Sequence, residues 1–180
     1  MIVVISGTNR PKARSAAVAR VTVGILRAAG VEVELIDLSD LPREIFEPGA
    51  YADKPPSFEA FQRSILDAAG ILTVVPEYNG SYPGVLKYFI DMLRFPESLY
   101  LKPAAFVGVA NGRWGGLRAV EQLEMVFQYR HAHLFGRRLF LPAASGLLDA
   151  DGQLTDVELR DRLRVLAVDF ADFCRRLSPP

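Results

Sequence analysis

The sequence holds one cysteine, Cys174, in 180 residues, which excludes an intramolecular disulfide framework and a cysteine-built zinc site. It holds no apolar run approaching the ~20 residues of a membrane-spanning helix. It has no charge bias: 21 Lys and Arg balance 21 Asp and Glu, so a strongly basic nucleic-acid binder is not expected. Its two histidines, His131 and His133, form an H-x-H pair with no carboxylate or thiol nearby in sequence, too little to predict a metal site. The opening run Met1-Ile2-Val3-Val4-Ile5 lacks the basic region and cleavage site of a signal peptide. The expectation is one soluble, cytoplasmic domain over residues 1–180, half of it hydrophobic and long enough to bury a core.

What is present alternates between short apolar runs and helical patterns. Ile2–Ile5 is β-branched and ends at Ser6-Gly7, as a strand buried on both faces does. Ser15 stands where a helix N-cap belongs, before Val18, Val21, Ile25 and Leu26, and Gly30 marks the stop. Val31–Leu35 alternates strictly, which predicts an edge strand with one wet face. A proline-rich excursion over 41–56 precedes a helix capped by Ser57, a strand at Ile71–Val75 and a helix opening at Pro83. A strand over Ala104–Val109, a helix ending near Tyr129 and a strand over Arg138–Leu141 follow. Thr155-Asp156-Val157-Glu158 has the form of a capping box for the last helix. The class is α/β, with five parallel strands in the doubly wound order 2-1-3-4-5 and helices on both faces. Ligands of such sheets lie beyond the carboxyl ends of the strands, near the switch point between strands 1 and 3.

Three unusual loops leave those ends. In the first, Thr8, Arg10, Arg14 and Ser15 surround a helix N-terminus, whose N–H groups and partial positive charge suit a phosphate. It is neither a GxxxxGK[ST] loop nor a GxGxxG turn, and an ordinary capped helix with exposed arginines is the competing reading. The second, Pro76-Glu77-Tyr78-Asn79-Gly80-Ser81-Tyr82-Pro83-Gly84, is stiffened by two prolines and two glycines. Its backbone amides suit the edge of a planar ring, and Tyr78 and Tyr82 can flank that ring. Glu77 reads better as an orienting or solvated carboxylate than as a general acid or base. The third, Asn111 to Gly116, is glycine-rich.

The run from Pro76 through Lys87 resembles the signature of the NADPH-dependent FMN reductase family. Gly7-Thr8-Asn9-Arg10-Pro11 with Ser15 resembles that family's phosphate loop, and Asn111–Ala119 its third loop. The resemblance covers residues 2 to about 141 and implies a flavodoxin-like three-layer sandwich with noncovalent FMN. It implies that Thr8, Arg10 and Ser15 hold the phosphate. Pro76, Glu77, Tyr78, Asn79 and Gly80 would line the flavin ring, with Asn111, Gly112 and Gly115 on its pyrimidine side. Departures from the pattern are the bulky Lys12-Ala13-Arg14, Tyr88 where asparagine is frequent, and Trp114.

The implied activity is hydride transfer from NADPH or NADH to FMN, then reduction of a quinone, free flavin, azo compound or metal oxyanion on the same face. The flavin carries the chemistry and no side chain is singled out as catalytic. The alternatives are a flavodoxin-like electron carrier, disfavoured by the zero net charge, and a flavin-binding interaction module. Family members are commonly dimers or tetramers. The apolar stretch Phe89, Ile90, Met92, Leu93, Phe95 and Leu99 points the same way, unless it is buried within one chain. Cys174, among Phe170, Phe173 and Leu177, reads as a buried structural thiol.

Overall fold

The computed structural model of the chain describes residues 1–177; residues 178–180, part of the expected domain, lie outside the described residues. Strands β1 (Ile2–Ser6), β2 (Val33–Asp37), β3 (Gly70–Pro76) and β4 (Pro103–Val109) form one parallel sheet in the order β2-β1-β3-β4. Helices α1 (Arg14–Ala28), α2 (Glu59–Asp67), α3 (Gly84–Met92), α4 (Leu117–Tyr129) and α5 (Val157–Leu177) cover its faces. The fifth position is not one strand. β5 (His133–Leu134) and β6 (Leu139–Leu141) both pair with β4, in parallel. Ala104 pairs with Leu134 and Val107 with Leu139, so four residues on the edge bulge past two on β4. The turn holding His131, at φ 59°, precedes the strand that holds His133, so the two do not share a strand face.

The period of two decides which residue faces which helices. Val3, Ile5, Ile71 and Phe106 pack with α2, α3 and α4 through Ile65, Phe89, Leu123 and Phe127. Ile2, Val4, Leu72 and Val107 pack with α1 and α5 through Val18, Leu26, Leu166 and Phe170. Because both faces are covered, β1, β3 and β4 are buried throughout and mostly apolar, whereas β2 at the edge keeps a half-wet face. It begins two residues later than the alternation predicts.

The capping expectations shift by a residue or two. α1 is capped by Ala13, with no side-chain hydrogen bond, and Ser15 lies inside its first turn. Residues 56–58 form a 3-10 turn, so Ser57 does not cap α2. Asp156 rather than Thr155 caps α5, accepting from the Leu159 N–H at 3.0 Å, while Thr155 donates to the carbonyls of Gly146 and Leu147. Tyr88 donates to the Ile45 carbonyl and stacks with Phe46 and Tyr51, which ties the 38–58 excursion to α3. Phe89, Ile90, Met92, Leu93 and Leu99 are buried inside the chain, so of that stretch only Phe95 is exposed to meet another chain. Among the described residues no helix is long and apolar enough to cross a membrane, and no cluster of His, Cys, Asp or Glu is placed to hold a metal ion.

α5 crosses the start of β3 so closely that a Cβ on Gly70 would lie 2.3 Å from the Cys174 sulfur. Burial pushes that thiol up to about 12, from an ordinary value of 9.0. Gly70→Ala should cost roughly 1–3 kcal/mol through overpacking, and combining it with Cys174→Ala should lose less stability than the two single changes summed. The folded chain holds the thiol protonated while the unfolded chain ionises above pH 9. Stability is therefore full below pH 9 and falls as pH rises from 9 toward 12. Urea titrations across that range should show the fall, and Cys174→Ala should flatten it.

Candidate functional site

All strands point the same way, so the loops that follow them issue from one end of the sheet, and four of these, 7–13, 77–83, 110–116 and 142–146, come together there. They enclose a cleft of about 580 Å³. One wall is the start of α1. Its first turn has no acidic residue and no side-chain cap, and Arg10, Lys12 and Arg14 stand around it. The first N–H groups of any helix lack intrahelical partners. The Ser15 hydroxyl is buried at the cleft wall with no hydrogen-bond partner, although a buried polar group normally has one. An uncapped helix end, an orphaned hydroxyl and three cations make a receptor for an anion with several acceptor oxygens.

Facing it is a two-residue hairpin. Tyr78 and Ser81 exchange backbone hydrogen bonds of 2.8 and 3.1 Å, with Asn79 at φ 52° and Gly80 at φ 77° between them. Two consecutive left-handed residues are what an Asn-Gly pair tolerates best. The Thr8 hydroxyl shares a 3.0 Å hydrogen bond with the Tyr78 hydroxyl, and the Arg10 N–H donates to Thr8 Oγ1 at 3.2 Å. The first two loops are thus joined at their bases. On the third side, Asn111 Oδ1 accepts from the Ser145 N–H at 2.8 Å, which leaves the Asn111 amide nitrogen as a donor toward the cleft.

Of the residues singled out in the sequence, Arg10, Ser15, Pro76, Glu77, Tyr78, Asn79, Gly80, Asn111 and Gly112 line this one cleft. Thr8 lies beneath it, buried and bonded to Tyr78. Gly115 lies behind it, where a Cβ would meet the Leu141 backbone nitrogen at 2.7 Å. Tyr82 turns away to a separate cleft with Lys87 and Asp91, where burial raises its pKa. Glu77 is ion-paired with Arg118 at 3.6 Å, and Arg113 lies over the Trp114 ring, 4.7 Å from its centroid. Lys12, noted in the sequence only as part of a bulky departure, also lines the cleft, as do Ala110 and Ala144, which were not singled out. Lys12 belongs to the basic run. Ala144 sits in plain sequence, and only its place after the last strand's carboxyl end points to it. Volume alone does not select the site. A cleft of about 630 Å³ lies between α5 and β6, but its helix end is already capped by Asp156 and carries Glu158.

Parallel sheets of this order, with an anion-receiving first helix at the β1/β3 switch point, form the flavodoxin-like class of nucleotide-binding α/β proteins, and this chain has that architecture. Residues 1–146 match the NADPH-dependent FMN reductase family, and the chain belongs to it. An NAD(P)H-dependent FMN reductase of Pseudomonas aeruginosa is 33% identical over 164 residues, covering 89% of this chain and 87% of the relative. An NADPH:quinone oxidoreductase of Arabidopsis thaliana is 32% identical over 168 residues, covering 86% and 85%. The solved structure of FerB, a flavoenzyme NAD(P)H:(acceptor) oxidoreductase from Paracoccus denitrificans, superposes with a TM-score of 0.81 at 24% identity, covering 97% of each chain. The chain is an FMN-dependent NAD(P)H oxidoreductase.

The orphaned Ser15 hydroxyl gives a sharp test of the cofactor's phosphate end. Ser15→Ala should leave the apoprotein's melting temperature unchanged, since no hydrogen bond is lost. It should weaken FMN binding about ten- to a hundredfold, the worth of one hydrogen bond to a charged group. Riboflavin, which lacks the phosphate, should bind both proteins equally; fluorescence titration reads both constants.

Proposed function

We propose that the protein reduces quinones with NADPH or NADH, holding FMN in the cleft between α1 and the 76–80 loop as one flavodoxin-like unit over residues 1–180. The observation that carries the reading is the uncapped, acid-free start of α1, where the Ser15 hydroxyl is buried without a partner in the cleft that the Tyr78–Ser81 hairpin closes. FMN fits these residues, and when bound it supplies hydride acceptance from NAD(P)H and delivery of the electrons to an acceptor. The chain's part is to bind and orient. The end of α1, Ser15, Arg10 and the neighbouring Lys12 and Arg14 neutralise the phosphate, and Thr8 supports them from below through Tyr78. Pro76, Glu77, Tyr78, Asn79 and Gly80 would line the ring; the Glu77 and Tyr78 N–H groups are already bonded to Val109 and Ser81, so the Asn79 and Gly80 N–H groups would be the ones to reach it. Asn111, its amide turned by Ser145, donates on the pyrimidine side together with Gly112, while Gly115 keeps the third loop close to β6. Glu77, paired with Arg118, orients its loop and moves no proton.

A quinone acceptor is supported by the Arabidopsis relative's activity. We take the setting to be the cytoplasm, where NAD(P)H is supplied, and the working form to be a homodimer or homotetramer. The support for assembly is an apolar surface at α3 and α4, where Phe95, Met125 and Tyr129 are 61%, 67% and 74% exposed around one cleft.

Purified protein reconstituted with FMN should show a flavin spectrum that NADPH bleaches and a benzoquinone restores. Steady-state NADPH oxidation should be faster with quinones than with free flavin, an azo dye or chromate. A flavin spectrum that NADPH leaves unchanged sinks the reductase reading, and faster turnover of another acceptor replaces the quinone. Light scattering after size exclusion should show a dimer or tetramer that Met125→Glu converts to smaller species; a wild-type monomer at tens of micromolar removes the assembly.

A further inference from the structure

We propose that Gln122, on α4 and outside the cleft, is the positioning residue for the flavin-facing hairpin. Its side-chain amide grips the Asn79-Gly80 turn at two points and so sets the backbone presented to the ring. The inference rests on the reading that residues 76–80 face the flavin.

The hairpin needs such a grip. It consists of one reciprocal backbone pair, Tyr78 with Ser81, closing a turn whose two central residues are both left-handed. Asn and Gly tolerate those dihedrals, but so short a two-stranded piece is not stable by itself. Gln122 Nε2 donates to the Gly80 carbonyl at 3.0 Å, and the Ser81 hydroxyl donates to Gln122 Oε1 at 2.6 Å. A primary amide offers a donor and an acceptor side by side, so one side chain holds both a turn residue and the residue that closes the turn.

The platform is rigid because α4 is anchored on its other face. Ala119, Val120, Leu123 and Phe127 are buried against the sheet, while Gln122 itself is exposed. One helical turn earlier, on the same face, Arg118 reaches Glu77 at 3.6 Å. The two side chains thus hold the loop at its start and at its tip. Their reach spans 41 and 42 residues of chain, and neither lines the cleft. Gln122 therefore acts on the ligand only through the shape of the turn. Backbone N–H groups fixed in place beside a ring affect both how tightly it binds and how easily it accepts electrons.

The test compares Gln122→Leu, Gln122→Glu and Ser81→Ala with wild type and with Ser15→Ala. FMN and riboflavin dissociation constants and the midpoint potential of the bound flavin are measured in each. Gln122→Leu loses both hydrogen bonds and should weaken FMN and riboflavin by the same factor, about five- to thirtyfold, with a shifted midpoint potential. Gln122→Glu keeps an acceptor for Ser81 but sets a carboxylate against the Gly80 carbonyl, and should weaken both flavins at least as much. Ser81→Ala removes one bond and should show a smaller loss. Melting temperatures of the apoproteins should stay close to wild type, since residue 122 is exposed. Ser15→Ala, at the phosphate end, should weaken FMN alone, so the FMN-to-riboflavin ratio separates a ring clamp from a phosphate contact. Wild-type affinities and potential in Gln122→Leu overturn the clamp while leaving the flavin reading intact. A folded wild-type protein that binds neither flavin overturns the flavin reading and this role of Gln122 with it.

Discussion

Parallel pairing between β1 and β3 runs from Ile2 opposite Gly70 to Ser6 opposite Val74, and the position of every functional group follows from it. Two parallel neighbours cannot be joined by a hairpin. The chain must cross back each time, so both strands release their loops at the same end. That geometry sets the start of α1 beside the 76–80 loop and lets the Thr8 and Tyr78 hydroxyls meet at 3.0 Å although 70 residues separate them. The pairing of β4 with β6 does the same for the third loop: the Ala110 N–H donates to Leu141, and the Ala144 N–H donates back to Ala110.

Polarity around the cleft is distributed by function. The α1 end keeps the Ser15 hydroxyl without an internal partner and has no side-chain cap, the Ala16 and Ala17 N–H groups alone turning back to the Ala13 carbonyl. The helix that could have served an anion elsewhere, α5, has its first turn satisfied by Asp156. The ring-facing side is the reverse case. There several groups are held by neighbours: one Glu77 oxygen by Arg118, Gly80 and Ser81 by Gln122, and Asn111 Oδ1 by Ser145, while Glu77 Oε2 is buried without a hydrogen-bond partner. An unsatisfied anion site and a braced ring site suit a ligand with a charged tail and a flat, electron-accepting head, since stiffness at the head limits the reorganisation that accompanies electron transfer.

Elements whose signal is local were legible. The β-branched runs became the central strands, the alternating run became the edge, and Asn79-Gly80 became a tight turn. Caps were less so: Ala13 stands at the N-cap where Ser15 was expected and Asp156 where Thr155 was, shifts that turn on one or two φ/ψ values. At the fifth position the sequence showed only the strand at Arg138–Leu141 and not the short β5 before it; between the two, Phe135 packs on Phe170 and Phe173 of α5, contacts invisible in the local pattern. The apolar stretch after the second loop looked like an interface because its length exceeded what one helix face needs. The fold buries both sides of it, under the 38–58 excursion and under the sheet.

The sequence by itself determined the alternation of strands and helices, the basic first loop, the Asn-Gly turn and the family, because each is written in runs of neighbouring residues whose chemistry acts over a few bonds. The tertiary structure alone decided which of those residues face the cleft. It sent Thr8 below and Gly115 behind, turned Tyr82 away, left Ser15 without a partner and brought Gln122 onto the turn. The physical reason is the parallel sheet: it juxtaposes side chains 40 to 70 residues apart through pairings that no local pattern in the chain encodes.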